Sequence, residues 1–123
     1  NYKSEWCVEK VVNAILRFEL ANSRKPVVAL MGLAFKPDID DLRESPALRI
    51  ADAIVGAGTG AEILLVEPNI KDHPRYVLTD FREAFGKADI AVMLTAHSCF
   101  RDLDKECRHC DVLDFCGVFE GQK

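Results

Sequence analysis

Short apolar runs that alternate with helical patterns limit most strongly how this chain can fold. The runs are Val27–Met31, Glu62–Val66 and Asp89–Thr95. A strand that is a continuous apolar run is buried on both faces, and strands separated by helices are parallel. The sequence therefore predicts an α/β fold, in which helices cover both faces of a doubly wound parallel sheet.

A long amphipathic helix leads the chain, over residues 1 to about 21. Apolar side chains recur there at helical spacing, with charged side chains between them. Two interpretations are open: the helix connects to an upstream domain or a dimer partner, or it packs on its own sheet. The apolar positions assigned to one face are Trp6, Val8, Val11, Val12, Ile15, Leu16 and Leu20.

The other elements complete an alternating order of strands and helices. Apolar periodicity and turn residues set their approximate limits. They are a helix over 46–55, a glycine-rich turn over 56–60, a short strand over 76–78, a short helix from Thr79 or Asp80 to about Gly86, a short helix over 101–107, and a last strand over 111–115.

Composition and charge exclude several classes of partner. The 123 residues suffice for one domain, and 49% hydrophobic with 29% charged residues is a globular composition. The net charge of −4 gives no electrostatic case for binding nucleic acid or an anionic membrane. No apolar run approaches the ~18 residues that span a bilayer.

The cysteine count indicates the compartment. Five cysteines, an odd number without a secretion signal, favour the reducing cytoplasm, where we expect this protein.

The segment 32–46, between the first strand and the next helix, is the first candidate site. Lys36 and Arg43 stand there among four acids, and Ser45 and Pro46 are a good N-cap and first helical residue. Two cations beside a helix N-terminus are the residue types expected of an anion-binding site. The charge pattern alone favours the alternative that both cations pair with acids and only order the loop. Those acids are Asp38, Asp40, Asp41 and Glu44.

The same segment resembles a known family. Gly32-Leu33-Ala34-Phe35-Lys36-Pro37-x-x-Asp40-Asp41-x-Arg43-x-Ser45-Pro46 is similar to the signature of the carboxyl-terminal domain of the UDP-glucose/GDP-mannose dehydrogenases. Three further segments resemble the branch of that family that acts on UDP-N-acetylmannosamine, so the resemblance covers essentially the whole chain. They are Asn1-Tyr2-Lys3-x-x-Trp6-x-Val8, Val66-Glu67-Pro68-Asn69 and Met93-Leu94-Thr95-Ala96-His97-Ser98-x-Phe100.

The resemblance implies a function. Members of the family oxidise the C6 hydroxyl of a nucleotide sugar to a carboxylate with two NAD⁺, for polysaccharide precursors. It implies that residues 1–22 are a connecting and dimerisation helix, and that 23–123 form a Rossmann-like UDP-sugar-binding domain. Phe35 and Lys36 would contact the UDP-sugar, and Arg43 would reach the NAD held by an upstream domain. The implied partners are the NAD-binding and central domains of the same polypeptide, and a second copy of the chain through the central helix.

The chain also departs from the family pattern. The Gly-Gly-x-Cys segment that carries the family's nucleophile is absent from these residues, as is the glycine-rich NAD loop. We therefore assign no catalytic residue and expect the chain by itself to be inactive. Members often carry Arg or Lys where Cys116 stands, which puts one substrate contact in doubt.

A cysteine and histidine group near the end of the chain gives an alternative function. Cys107 and Cys110 have the spacing of zinc ligands, but a structural zinc site normally has a second close pair. Free thiols are therefore favoured and no metal site is assigned, although a non-catalytic binding or zinc module stays open. The group is Cys99, Cys107, His109, Cys110 and Cys116.

Two polar residues that follow strands are further candidates. His97 follows a buried strand, so it shares a sheet edge with Lys36 if the sheet is parallel. His97 could form a hydrogen bond with a nucleotide or with the loop, or it could be a structural histidine beside Ser98. The structural role is favoured. Glu67 occupies the place of a ribose-binding acid, but the glycines of a dinucleotide fold are missing, so a turn role before Pro68 is favoured.

Overall fold

Four parallel strands form the sheet in the described part of this chain, residues 2–105 and 110–119 of a computed structural model. Their order is β2-β1-β3-β4. The first two coincide with the predicted runs, and the third is shorter than the predicted run at both ends. The strands are β1 (Val27–Met31), β2 (Glu62–Val66), β3 (Ile90–Met93) and β4 (Asp111–Asp114).

Helices cover both faces of the sheet, as predicted. Helices α1 (Tyr2–Asn22) and α2 (Pro46–Gly56) pack together on one face. Helix α3 (Phe81–Lys87) lies on the other. The fold is therefore doubly wound α/β with a long leading helix. No helix among the described residues has the length and apolarity needed to cross a membrane.

The core has two layers because alternate residues of each strand point to opposite faces. In β1, Val28 and Leu30 pack toward α1 and α2, whereas Ala29 and Met31 pack toward α3. All four are fully buried. Burying a side chain the size of Leu30 contributes about 1.5–3 kcal/mol. Both layers end at the carboxyl edge of the sheet, where they support the loops described below.

Helix α1 has two apolar sides, so the single face predicted for it is wrong. Val11 and Ile15 are fully buried against the sheet layer. Leu16 and Leu20 are 51% and 86% exposed, and Trp6 is 47% exposed. At about 3.6 residues per turn, Leu16 and Leu20 lie on the side opposite Val11 and Ile15. The helix therefore packs on its own sheet and also leaves an apolar side uncovered.

Two short elements differ from their predictions. The strand predicted over 76–78 is a single parallel bridge between Leu78 and Leu65, and its central residue Val77 is exposed. The helix predicted over 101–107 is replaced in its described part by short 3₁₀ turns. One of these turns, Ser98–Phe100, precedes the predicted helix and the other, Leu103–Lys105, lies within it. Each contributes one buried side chain, Phe100 and Leu103. Residues 106–107 of that prediction lie outside the described residues.

Candidate functional site

The candidate site is the loop over 32–45, at the carboxyl edge of the sheet. The loop follows β1, and it meets the residues that follow the two neighbouring strands, Glu67 after β2 and Thr95 after β3. A cleft of about 250 Å³ opens there, bordered by Phe35, Thr95 and Cys116 among others. In open α/β sheets this edge is where ligands bind.

Gly32 allows the chain to leave β1 beside Thr95. Its φ of +99° is a conformation that side-chain-bearing residues rarely adopt. A Cβ atom on Gly32 would lie 2.6 Å from the Cβ atom of Thr95 and 2.9 Å from its backbone nitrogen. The close approach of the two loops therefore requires glycine at this position.

Buried side chains hold the first residues of the loop by their backbone groups. Glu67 Oε1 accepts from the N–H groups of Leu33 and Ala34, at 2.9 and 3.0 Å. Ser45 Oγ donates to the Leu33 carbonyl at 2.7 Å, and Thr95 Oγ1 donates to the Ala34 carbonyl at 3.0 Å. Because every backbone polar group of Leu33 and Ala34 has a partner, this part of the loop has one defined conformation.

The start of α2 is built as the sequence predicts. Ser45 is the N-cap, its Oγ accepts from the Leu48 N–H at 3.2 Å, and Pro46 is the first helical residue. The same hydroxyl donates to the Leu33 carbonyl, so one side chain both caps the helix and fixes the loop. The positive end of α2 therefore lies at the border of the cleft, beside Ala34 and Phe35.

A second contact holds the loop further along, at Asp38. Its backbone N–H donates to His97 Nδ1 at 2.8 Å, and its carboxylate accepts from the N–H and hydroxyl of Ser98 at 2.7 and 2.5 Å. The Ser98 hydroxyl, and then its N–H, hold the pKa of Asp38 below the usual range. Asp38 therefore ties the loop to the residues after β3, and pairs with neither predicted cation.

Glu67 is the buried charge on which this arrangement depends. Within the described residues its carboxylate accepts from the backbone of Leu33, Ala34 and Asn69 and from His97 Nε2. Burial by itself would raise the pKa of Glu67, but the hydrogen bonds from His97 and the backbone outweigh it and lower the pKa. Glu67 is thus an ionised carboxylate with its oxygens satisfied inside the protein.

Phe35 and Lys36 project from the part of the loop between these two anchors. Both are exposed, and Lys36 Nζ lies 5.7 Å from the centre of the Phe35 ring. Among the described residues no ion pair involves Lys36. The predicted pairing of both cations with loop acids is therefore wrong for Lys36, whose charge faces solvent beside an aromatic ring.

Arg43 does pair within the loop, as the charge pattern favours. Its Nε and Nη2 donate to the two oxygens of Asp41 at 3.1 and 3.0 Å. These bonds hold the pKa of Asp41 below its usual range. The guanidinium is almost fully exposed and borders, with Phe35, an open cleft of about 460 Å³. An exposed pair of this kind contributes little stability, so Arg43 can exchange Asp41 for another anion.

The cysteine and histidine group does not form a site in the described ranges. Within residues 2–105 and 110–119 no three His, Cys, Asp or Glu side chains are placed to hold a metal ion. Cys107 and His109 lie outside those ranges. Cys116 borders the cleft near Phe35, and burial raises its pKa to about 12, so it is a neutral thiol there.

Glu67, His97 and Thr95 have larger roles than the sequence indicates. The turn role of Glu67 is confirmed by its bond from the Asn69 N–H at 2.9 Å, but its other oxygen holds the loop. His97 is the structural histidine that is favoured above: its ring is buried and contacts the loop through the Asp38 N–H, although its side chain caps no helix. The available signal was position, since Glu67 directly follows β2 and Thr95 and His97 lie within four residues of the end of β3, so that all three meet at one sheet edge.

The fold and this loop place the chain in the class of doubly wound α/β domains whose binding loop follows the first strand. The chain belongs to the UDP-glucose/GDP-mannose dehydrogenase family, and residues 29–120 match the model of its UDP binding domain. The resemblance found in the signature over 32–46 is thereby confirmed.

Individual relatives are dehydrogenases of nucleotide sugars. The UDP-N-acetyl-D-mannosamine dehydrogenase of Escherichia coli (strain K12) is 38% identical over 128 residues, covering 97% of this chain and 30% of the relative. The NDP-N-acetyl-D-galactosaminuronic acid dehydrogenase of Ralstonia nicotianae is 40% identical over 108 residues, covering 85% and 24%. The solved UDP-N-acetyl-mannosamine dehydrogenase of Staphylococcus aureus superposes with a TM-score of 0.68 at 26% identity, covering 90% and 27%. The chain thus spans less than a third of the length of these relatives.

Proposed function

We propose that this chain is the nucleotide-sugar-binding domain of an NAD-dependent dehydrogenase that oxidises the C6 hydroxyl of a UDP-N-acetylhexosamine of the mannosamine type. One observation carries the proposal: Phe35 borders the cleft with Lys36 next to it, and the loop backbone on both sides of these two residues is held by buried side chains. A ligand therefore meets an aromatic ring and an unpaired ammonium that are already in place, which lowers the ordering cost of binding.

The proposed roles follow from the chemistry of each side chain. Lys36 binds the substrate anion as a compact charge, and the Phe35 ring supplies apolar contact area beside it. The positive end of α2 adds to the attraction for a diphosphate. Arg43 exchanges Asp41 for an anionic group of the cofactor, in the open cleft that it shares with Phe35. No residue of this chain is assigned a catalytic role.

NAD would be held mainly outside this domain. The segment after β1 has Gly32 alone where a dinucleotide fold has a glycine-rich loop. Glu67, in the place of a ribose-binding acid, is buried and committed to the loop backbone. The residues described here therefore do not fit the cofactor as a complete site, and only Arg43 is proposed to contact it. When bound, NAD supplies the hydride acceptor of the oxidation.

The proposal includes partners and a location. The uncovered side of α1, with Leu16 and Leu20, is proposed to meet a second copy of the chain. Residues 1–22 then act as the connecting and dimerisation helix, and 23–123 as the UDP-sugar-binding domain. Upstream NAD-binding and central domains of the same polypeptide would complete the enzyme in the cytoplasm.

Titration of this chain with UDP and with UDP-N-acetylhexosamines, followed by amide NMR, tests the proposal. We expect saturable shifts centred on Phe35, Lys36 and the first turn of α2. Lys36→Ala is expected to raise the Kd for UDP about tenfold, or ~1.4 kcal/mol, because it removes a charge-assisted contact. Lys87→Ala is the matched control, since Lys87 is an exposed lysine at the end of α3, away from the cleft. Flat spectra, or equal Kd values for the two variants, would contradict the proposal.

A further inference from the structure

We infer that Glu67 and His97 are positioning residues for nucleotide binding: together they hold both ends of the segment 33–38, and thereby set where Phe35 and Lys36 meet the ligand. The inference rests on the proposed function, because it assigns Lys36 to the UDP site. Both side chains are almost completely buried, at 2% and 1% exposure. They therefore act on the ligand only through the loop.

The protonation of His97 follows from its partners. The Asp38 N–H is an obligatory donor, and it points to His97 Nδ1 at 2.8 Å. Nδ1 must therefore be the unprotonated nitrogen, which places the proton of a neutral ring on Nε2. Nε2 lies 2.9 Å from Glu67 Oε1, the distance of a hydrogen bond to a carboxylate. The ring thus links the Asp38 backbone to the Glu67 carboxylate in one defined tautomer.

The same carboxylate oxygen anchors the start of the segment. Glu67 Oε1 accepts from the N–H groups of Leu33 and Ala34, and Oε2 accepts from the Asn69 N–H. A glutamine at this position would place its NH₂ group where one carboxylate oxygen now lies. Two hydrogen-bond donors would then face each other there. Only an ionised side chain of this length serves all of them, which explains why a charge is kept in this buried position.

The far end of the segment is held in a conformation that needs support. Asp38 has a φ of +62°, a left-handed conformation that is uncommon for residues other than glycine, although aspartate adopts it more readily than most. His97 holds its N–H, and Ser98 holds its carboxylate from the adjoining position. Without the His97 bond, only the Ser98 contacts hold Asp38 at this φ, and we expect the backbone to shift toward negative φ and Lys36, two residues earlier, to move with it.

Two substitutions at His97 separate the anchor from general stability. His97→Asn keeps an acceptor near the position of Nδ1 and loses the donor to Glu67, whereas His97→Gln keeps a donor near Nε2 and loses the acceptor for Asp38. We expect both to lower Tm. His97→Gln is expected to raise the Kd for UDP about tenfold and to speed amide exchange at Asp38, and His97→Asn to leave the Kd within about twofold of wild type. Two results would overturn the inference: a rise in Kd that is proportional to the loss of Tm in both variants, or an unchanged Kd in both.

The unsubstituted protein gives a second readout, which does not depend on the variants folding. Long-range ¹H–¹⁵N spectra of the His97 ring are expected to show Nδ1 unprotonated and Nε2 protonated. The opposite tautomer would overturn the inference. If the wild-type chain shows no saturable UDP binding, the proposed function fails. Amide exchange then still tests whether His97 holds the loop at Asp38. Faster exchange at Asp38 in His97→Gln than in His97→Asn supports it, and equal exchange overturns it.

Discussion

At the scale of single residues, Glu67 makes stability depend on pH. Its pKa is lowered from 4.5 in the folded chain, so the unfolded chain takes up a proton first as the pH falls. Its stabilising contribution is therefore present above about pH 4.5 and is lost as the pH falls through the folded pKa. We expect Glu67→Gln to lower the free energy of unfolding by about 1–3 kcal/mol at pH 7, and the two unfolding curves to converge in acid.

Urea unfolding at a series of pH values measures this effect. Glu62→Gln is the control, because Glu62 is an exposed carboxyl at the start of β2 and makes no such buried contacts. A constant difference between wild type and Glu67→Gln from pH 7 into acid would contradict the assignment of this pH dependence to Glu67.

Residue types alone did not predict the contacts of the site. The bond between Glu67 and His97 joins side chains 30 positions apart, and its formation depends on the register that places the ends of β2, β1 and β3 side by side. Phe35 and Lys36 were identified through a resemblance, since neither has a periodic or spacing signal of its own. The pairing of Arg43 with Asp41 could be predicted from the sequence, because the two residues are only two positions apart.

At the scale of elements, α2 depends on Ser45 more than a helix normally depends on its cap. Ser45 Oγ accepts from the Leu48 N–H and also donates to the buried Leu33 carbonyl. Ser45→Ala is expected to cost about 2–3 kcal/mol, since it removes a cap and leaves a buried carbonyl unsatisfied. Thermal and urea unfolding measure the change.

Asp80→Ala is the matched comparison for this prediction. Asp80 caps α3 by accepting from the Arg82 and Glu83 N–H groups, at an exposed position. Its loss is expected to cost about 1 kcal/mol, the usual value for a cap. Equal losses in Ser45→Ala and Asp80→Ala would show that the bond to Leu33 contributes nothing.

Elements with a buried apolar run were the ones that the sequence predicted well. Val27–Met31 and Glu62–Val66 match β1 and β2 at both ends. Strand β1 has no polar residue and is buried along nearly its whole length, whereas β2 begins at the exposed Glu62 and is buried only toward its end. The segment over 76–78 failed as a strand because it forms one bridge at a sheet edge, where few neighbours fix the backbone. The local sequence pattern predicts the buried strands of the sheet, whereas a segment at the sheet edge becomes a strand or not through contacts with residues distant in sequence.

At the scale of the whole molecule, α1 has one apolar side in the core and a second apolar side exposed to solvent. One side, with Val11 and Ile15, completes a core layer, so the helix belongs to the folded unit. The other side exposes Leu16 and Leu20, and Trp6 stays half-exposed although its ring meets Phe115 edge-on at 5.7 Å. A helix with apolar residues on opposite sides is normally covered on both. The fold is thus complete on one side of α1 and leaves apolar side chains exposed on the other.

Self-association through this second side is the prediction that the arrangement makes for the molecule as a whole. We expect the wild-type chain to sediment as a concentration-dependent mixture of monomer and dimer, because pairing removes the exposed Leu16 and Leu20 from water. Leu20→Glu should shift the chain to monomer without loss of Tm, since Leu20 is already 86% exposed. Val77→Glu is the control, as Val77 is equally exposed but lies on the loop before α3. Sedimentation as monomer at every concentration, or an equal shift in both variants, would contradict pairing through α1.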